Sequence, residues 1–266
     1  PFLLFLILES KYSRVGIFLR LSFREAVIWK YAISAVSKII EEAGFRISEE
    51  GLRLRAMDPS AVVLVDFYMP REAFSVFEVG GEIYIGVNME ELAKILRRAR
   101  KGDELVLEPL PGGQLRVLFE GKGSRSFKIP SIELSLQEIP EIGFEETFKC
   151  KIMPKMFKDV IKELEPISDS VEFYSPAQSG VLYLKAQGDI AEAEVELSAT
   201  SGALIEYEST GEAKSKYTVD YLVDLSAASQ AAEVLSIGFG VETPLRVTYE
   251  LPYGGKLEFY VAPRTD

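Results

Sequence analysis

Histidine is absent from the 266 residues, and cysteine and tryptophan each occur once. The missing imidazole removes the commonest general base, the usual partner of a catalytic serine or cysteine, and the commonest metal ligand. A Ser-His-Asp triad, a Cys-His pair and a His-containing zinc site are excluded by inventory. Cys150 has no second thiol to pair with in the chain and points to a reducing compartment. Long apolar runs are missing as well. The uncharged stretch 1–8 falls well short of the ~20 residues that span a bilayer. Lys11 and Arg14 follow it, whereas a signal peptide places its basic residues first. Residues 1–16 are expected to form an extension outside the fold.

The length suits two domains, each with its own core. Apolar residues make up 47%, as in folded globular proteins. With 30 Lys+Arg against 41 Asp+Glu the net charge is −11, which argues against a nucleic-acid binder unless basic residues gather on one surface.

Two similar hairpin signatures stand out. Leu110-Pro111-Gly112-Gly113-Gln114-Leu115 leads into Arg116-Val117-Leu118-Phe119, and Leu251-Pro252-Tyr253-Gly254-Gly255-Lys256-Leu257 leads into Glu258-Phe259-Tyr260-Val261. Each joins β-rich stretches through a Pro/Gly-Gly turn. Their recurrence about 140 residues apart implies a duplicated unit. Helical spacing is predicted at 20–42, 89–101, 154–164 and 219–235. Strands are predicted at 45–48, 52–57, 62–68, 83–87, 105–110, 115–119 and 124–129, and again at 148–152, 171–175, 181–186, 193–200, 204–207 and the hairpin 245–261. Each half reads helix, strands, helix, strands, with Pro130, Pro140 and Gly143 marking a linker between them. Hairpin-length turns favour antiparallel sheets with helices on one face, an α+β fold, over βαβ crossovers. The expected division is an extension at 1–16, a first domain at 17–130, a connecting loop at 131–145 and a second domain at 146–266.

The acidity is not evenly shared. Lys94, Arg97, Arg98, Arg100 and Lys101 crowd the second helix, Lys30 and Lys38 share a face of the first, and Lys155, Lys158 and Lys162 lie nearly in line on the third. The fourth has no basic residue. Such rows are either solvated helix faces or a sequence-independent surface for phosphate backbone. No aromatic interleaving of the kind that stacks single-stranded bases accompanies these rows, so on the second reading duplex is a better target. Glu145/Glu146 and Asp220/Asp224 are the only paired carboxylates that suggest catalysis, and acids in a loop and at a helix start are common for solubility and helix-dipole reasons.

The run Gly51-Leu52-Arg53-Leu54-Arg55-Ala56-Met57-Asp58-Pro59-Ser60 before the strand at 62–67 resembles the proliferating cell nuclear antigen sliding clamps. So do Gly86-Val87-Asn88-Met89, continuing through Leu92, Lys94, Ile95 and Leu96, and the closing Leu257-Glu258-Phe259-Tyr260-Val261-Ala262-Pro263-Arg264. Leu19-Arg20-Leu21, Lys30-Tyr31 and Lys38-Ile39 look archaeal. The resemblance covers about Leu19 to Arg264. It implies a duplicated two-domain sliding-clamp fold, three subunits per ring, helices lining a central channel and antiparallel sheets outside. It also implies a DNA polymerase processivity factor with no catalytic activity and no cofactor. Such a factor encircles duplex DNA, is placed there by a clamp loader, and tethers DNA polymerase, ligase and flap endonuclease in the cytoplasm, at the nucleoid, of an archaeal cell. A subunit of a heterotrimeric or checkpoint-type clamp, and an interaction module that never touches DNA, remain alternatives to a homotrimer.

By that resemblance Lys30, Lys38, Lys94, Arg97 and Lys162 face the channel. Partner motifs with apolar and aromatic anchors would dock on Met57, Ala61, Val62, Leu64, Leu134, Leu136, Pro244, Tyr260, Ala262 and Pro263. Taken alone, Val62 and Leu64 read as ordinary core. Subunits would join by pairing 123–129, with Arg125 and Lys128, against 190–196, with Glu192, Glu194 and Glu196. The plainer reading makes these charges guards on exposed edges.

Overall fold

The computed structural model describes residues 19–135, 139 and 141–265, so the expected extension at 1–16, together with Leu136 and Pro140, lies outside the described residues. The first half runs β1 (Leu19–Phe23), α1 (Ala26–Ile39), β2 (Glu42–Ser48), β3 (Gly51–Met57), β4 (Val63–Pro70), β5 (Phe74–Val79), β6 (Ile83–Asn88), α2 (Met89–Leu96), β7 (Glu104–Leu110), β8 (Gln114–Glu120) and β9 (Ser124–Pro130). The second runs β10 (Phe148–Ile152), α3 (Pro154–Leu164), β11 (Ser170–Ser175), β12 (Val181–Gln187), β13 (Glu192–Ser198), β14 (Glu206–Ser209), β15 (Ala213–Thr218), α4 (Val219–Leu225), β16 (Val234–Phe239), β17 (Leu245–Glu250) and β18 (Lys256–Val261). Both halves are therefore strand, helix, five strands, helix, three strands.

The duplication is real, but the two Pro/Gly-Gly turns are not its counterparts. The first joins β7 to β8, while the second joins β17 to β18, one step later in the repeat. The second turn corresponds instead to residues 121–123 between β8 and β9. The structural period runs from Ala26 to Pro154, 128 positions, and from Met89 to Val219, 130 positions. Gly112 and Gly113, at φ 85 and 70, supply the left-handed backbone of a three-residue hairpin loop, Pro111 to Gly113, between the paired Leu110 and Gln114.

The strands form three antiparallel sheets, ordered β5-β1-β7-β8-β9, β13-β12-β11-β15 and β14-β10-β16-β17-β18-β4-β3-β2-β6. By repeat position, the nine-stranded sheet is the five-stranded and four-stranded sheets laid end to end. Its middle is the β18–β4 ladder, in which Leu257 pairs with Phe67, Phe259 with Val65 and Val261 with Val63. All six of these side chains are buried. The helices pack together, α1 against both α2 and α4 and α3 against α4. Trp29 on α1 is buried edge-on to Phe67, with ring centroids 5.1 Å apart. A further tie between the halves is Tyr253, whose hydroxyl donates to Glu25 at 2.7 Å and whose ring meets Phe23.

Two helices are shorter than their spacing predicts, and a third starts later. Leu19, Leu21 and Phe23 bury alternately as β1, so the first helix begins at Ala26. After Leu96 the Arg98 and Ala99 amides bond three residues back, tightening and ending α2. Beyond Leu225 the Ser226 and Ser229 hydroxyls donate to Val223 and Ser226 carbonyls in a 3₁₀ turn, Ser226–Gln230, and residues 234–239 become β16. Strands β1, β5, β15 and β16 have no counterpart in the sequence reading.

Cys150 is buried in β10, and burial pushes its thiol up to about 12. The folded protein should resist alkylation at pH 8 while the unfolded chain reacts, as mass spectrometry would show. Because β18 closes onto β4, Phe259→Ala should remove about 3–5 kcal/mol. It should also lower the denaturation midpoint read by the fluorescence of Trp29, which lies in the other half of the chain.

Candidate functional site

The outward side of α1 carries Lys30, Ser34 and Lys38, four residues apart in each step and so in one line. Lys38 Nζ lies 2.9 Å from Asp224 Oδ1 on α4, an exposed pair that ties the two halves. Lys94 pairs with Glu90 at 2.9 Å and Glu91 at 2.8 Å, so two of the five expected channel cations are neutralised within the subunit. Lys30 sits over the Tyr31 ring, and Lys30, Arg97 and Lys162 make no salt bridge among the described residues. Lys155 on α3 is held by Asp159. Asp220 and Asp224 on α4 make this helix an acidic member of the layer.

On the opposite side of the nine-stranded sheet, strand register gathers an apolar cluster. Met57 pairs with Leu64, and Leu64 with Tyr260. The Ala262 amide donates to the Val62 carbonyl at 2.8 Å, and Pro244 and Ala262 each lie next to the Leu245–Val261 pair. Leu64 is buried and Met57 is 40% exposed, so the cluster has a floor and an open rim. Its wall is the 58–62 turn, built around the Asp58 carboxylate. The Ser60, Val62 and Val63 amides donate to it at 3.0, 2.7 and 2.6 Å, and Ala61 has φ 55. The Tyr221 hydroxyl, from α4, also donates to Asp58 at 3.3 Å.

The described residues of the segment between the halves, 131–135, 139 and 141–147, anchor to this face as a strap. It starts at β6, where the Ile132 amide donates to the Gly86 carbonyl at 2.8 Å. Glu141 meets Arg55 at 3.0 Å, Phe144 stands edge-on to Tyr260 at 6.4 Å, and Glu146 meets Arg246 at 2.7 Å. Leu134, expected in the cluster, lies over Gly86 on β6 instead, lining a cleft with Tyr84, Leu110 and Gln114. Phe144 is the strap residue that reaches Tyr260. It follows Gly143 in a stretch without periodicity, so the sequence offered no signal for it beyond its being an aromatic in a linker. Leu136 is outside the described residues. Glu146, a candidate for paired-carboxylate chemistry with Glu145, is held in ion pairs instead.

Strands β9 and β13 each end a sheet. Lys128, Glu192, Glu194 and Glu196 are exposed on them, and Ile190, in the turn before β13, is fully exposed. Arg125 differs from the expectation. It donates to the Arg98 carbonyl at 2.8 Å, pairs with buried Asp103 and lies over Phe119, so its charge is used inside the subunit. Glu194 pairs with Lys185 at 2.7 Å.

Residues 18–140 match the profile of the proliferating cell nuclear antigen N-terminal domain, and 138–264 that of its C-terminal domain. The chain belongs to the proliferating cell nuclear antigen family. Among its relatives is a protein named DNA polymerase sliding clamp 3 from Aeropyrum pernix, 37% identical over 248 residues, covering 93% of this chain and 98% of the relative. Another is the DNA polymerase sliding clamp of Thermococcus onnurineus, 37% identical over 88% of this chain and 93% of its own. Among solved structures, the PCNA2-PCNA3 complex of Sulfolobus tokodaii superposes with a TM-score of 0.86 at 33% identity, over 93% of this chain and all of that one. These likenesses establish the duplicated sliding-clamp fold. The Asp58 cage should matter most among the turn's contacts. Asp58→Ala, which strips acceptors from three amides, should cost roughly 2–4 kcal/mol in denaturation measurements, and Asp58→Asn less.

Proposed function

We infer that the chain is one subunit of a ring-shaped DNA polymerase sliding clamp, a processivity factor that encircles duplex DNA and tethers replication and repair enzymes. The observation that carries this reading is the sheet arithmetic. Inside the chain, β18 joins a five-strand unit to a four-strand unit through β4, while β9 and β13, their repeat counterparts, end sheets of five and four strands with free edges. Pairing β9 with β13 of the next subunit repeats the internal joint, and repeating it head to tail closes a ring when the rotation permits. Transposing the internal register sets Lys128 opposite Glu192, Phe127 opposite Ala193 and Ser124 opposite Glu196. Fully exposed Ile190 then takes the place that Val62 holds beside Ala262. Three subunits of two halves give six repeats around the channel, with the boundaries 17–130, 131–145 and 146–266.

Inside such a ring the helix layer faces DNA. Lys30, Arg97 and Lys162 carry the free positive charge, with Lys38 and Lys94 muted by their acids. Weak phosphate contacts suit a protein whose hold is topological, because strong ones would stop it sliding. The outer cluster of Met57, Ala61, Val62, Leu64, Pro244, Tyr260, Ala262 and Pro263, with Phe144 from the strap, suits a short partner segment with apolar and aromatic anchors. Polymerase, ligase, flap endonuclease and clamp loader would share it, each gaining from raised local concentration. The subunit acts as a scaffold without catalytic chemistry or cofactor, in the cytoplasm of an archaeal cell at its nucleoid.

A heterotrimeric ring is the second reading, favoured by the similar structure whose description names two different clamps in complex. Sedimentation separates the two. Lys128→Glu and Glu192→Lys should each weaken self-association, and combining them in one chain should restore it if copies of this chain pair with each other. In a mixed ring the double variant fails to recover and its partners stay unbound. For the channel, replacing Lys30, Arg97 and Lys162 together with Ala should lower polymerase processivity on primed circular DNA several-fold and flatten its salt dependence. Unchanged processivity at all salt concentrations would sink the channel assignment.

A further inference from the structure

The strap's last anchor differs from the rest. Glu146, 11% exposed at its side chain, sits between Arg246 at 2.7 Å and Lys149 at 3.9 Å. Its other oxygen, Oε1, is buried without a hydrogen-bond partner. The carboxylate occupies space directly above Gly238, where any Cβ would run into it, and the three atoms nearest that spot all belong to Glu146. Lys149 and Arg246 are the cross-strand neighbours of Gly238 on either side.

The other half of the chain shows what this seat is. The repeat counterparts of Lys149, Gly238 and Arg246 are Arg20, Glu108 and Arg116. There the acid belongs to the sheet: Glu108 accepts from Arg20 at 2.5 Å and also bonds Arg116. In the second half the same cationic bracket is present, but glycine stands where β7 has its acid, and a strap residue supplies the carboxylate to Arg246, while Lys149 is shared between Glu146 at 3.9 Å and Glu208 of β14 at 3.6 Å. If neutralising two cations were all the fold required, an acid on β16 would serve, as it does on β7. The arrangement at Gly238 adds one thing only, a fixed end for the strap two residues past Phe144.

We propose that Glu146 is a tether that positions the strap, and through it Phe144 against Tyr260, so that the partner cleft is held ready for its occupant. The seat opens beside a cleft of about 390 Å³ lined by Lys149, Lys151, Tyr207, Gly238 and Arg246, which leaves room for the carboxylate to swing out. A strap ordered beforehand spares a partner part of the ordering cost of binding. The consequence for partner binding rests on the clamp reading above; the tether itself does not.

Three variants separate a tether from an ordinary ion pair. Glu146→Ala removes the acid. Gly238→Ala evicts it by filling the seat. The double variant Glu146→Ala with Gly238→Glu rebuilds the arrangement of the first half, neutralising Lys149 and Arg246 from the sheet and leaving the strap untied. Hydrogen exchange of amides 141–147 should speed up about tenfold or more in all three, while thermal stability recovers only in the double variant. A short synthetic peptide with apolar and aromatic anchors should bind each variant about five- to tenfold more weakly than the parent. Parent-like protection of 141–147 in the double variant, or in Glu146→Ala, would overturn the tether, as would tighter peptide binding in all three. If the peptide binds none of the proteins, parent included, while exchange responds as expected, the partner-cleft reading fails and the tether stands.

Discussion

The ladder between β18 and β4 is the constraint on which the rest of the structure depends. A sheet edge presents a row of unpaired amides and carbonyls, and a soluble protein must cover, charge or pair it. Here one five-plus-four junction is satisfied within the chain and its twin, β9 and β13, is left open. The internal junction brings the apolar outer cluster together, because it alone places Tyr260 beside Leu64. At the open junction the same repeat positions hold Lys128 and Glu192. The closed copy thus carries an apolar pair, and the open copy carries opposite charges, which in the proposed ring would favour the correct neighbour over a wrong one.

Charge follows the same division between inner and outer surfaces. The net charge of −11 belongs to the whole chain, yet the helix layer exposes Lys30, Arg97 and Lys162 without acidic partners among the described residues. The acids of α4 and the first turn of α2 trim that positive field. Exposed pairs such as Lys38–Asp224 contribute little to stability, up to ~1 kcal/mol. Their main effect is on the potential along the layer, which in the proposed ring would set how tightly the channel holds phosphate. The Asp58 cage and its bond from Tyr221 link the turn beside the outer cluster to α4 on the helical side, so the two surfaces share a rigid part.

Much of this architecture could be read from residue patterns, and the exceptions have specific causes. Duplication, antiparallel sheets and helices on one side followed from periodicity and turn chemistry. The match between the Pro/Gly-Gly turns was misleading as to phase, because hairpin chemistry reports a turn's geometry and not its place in a repeat. Helix 219–235 is shorter than its pattern because Ala and Ser keep a helical spacing alive while the Ser226 and Ser229 hydroxyls bond back to the chain in a 3₁₀ turn. Met57, Leu64 and Tyr260 came together as the family resemblance implied, since strands fix their neighbours by register. Leu134 and Phe144 exchanged importance because the strap has no periodicity, and its path is set by long-range anchors at Gly86, Arg55 and Arg246. Arg125 is drawn inward because Asp103, 22 positions earlier, claims its charge.

The burial of Cys150 has a wider consequence in a chain without histidine. No side chain has an ordinary titration between roughly pH 5.5 and 8, and the one thiol is displaced upward to about 12. With no imidazole to gain or lose a proton near neutrality, the charge pattern on both edges and along the helices lacks the usual side-chain switch for acidity. Salt, in contrast, screens exposed charges of either sign. A surface of this kind answers to ions more than to protons.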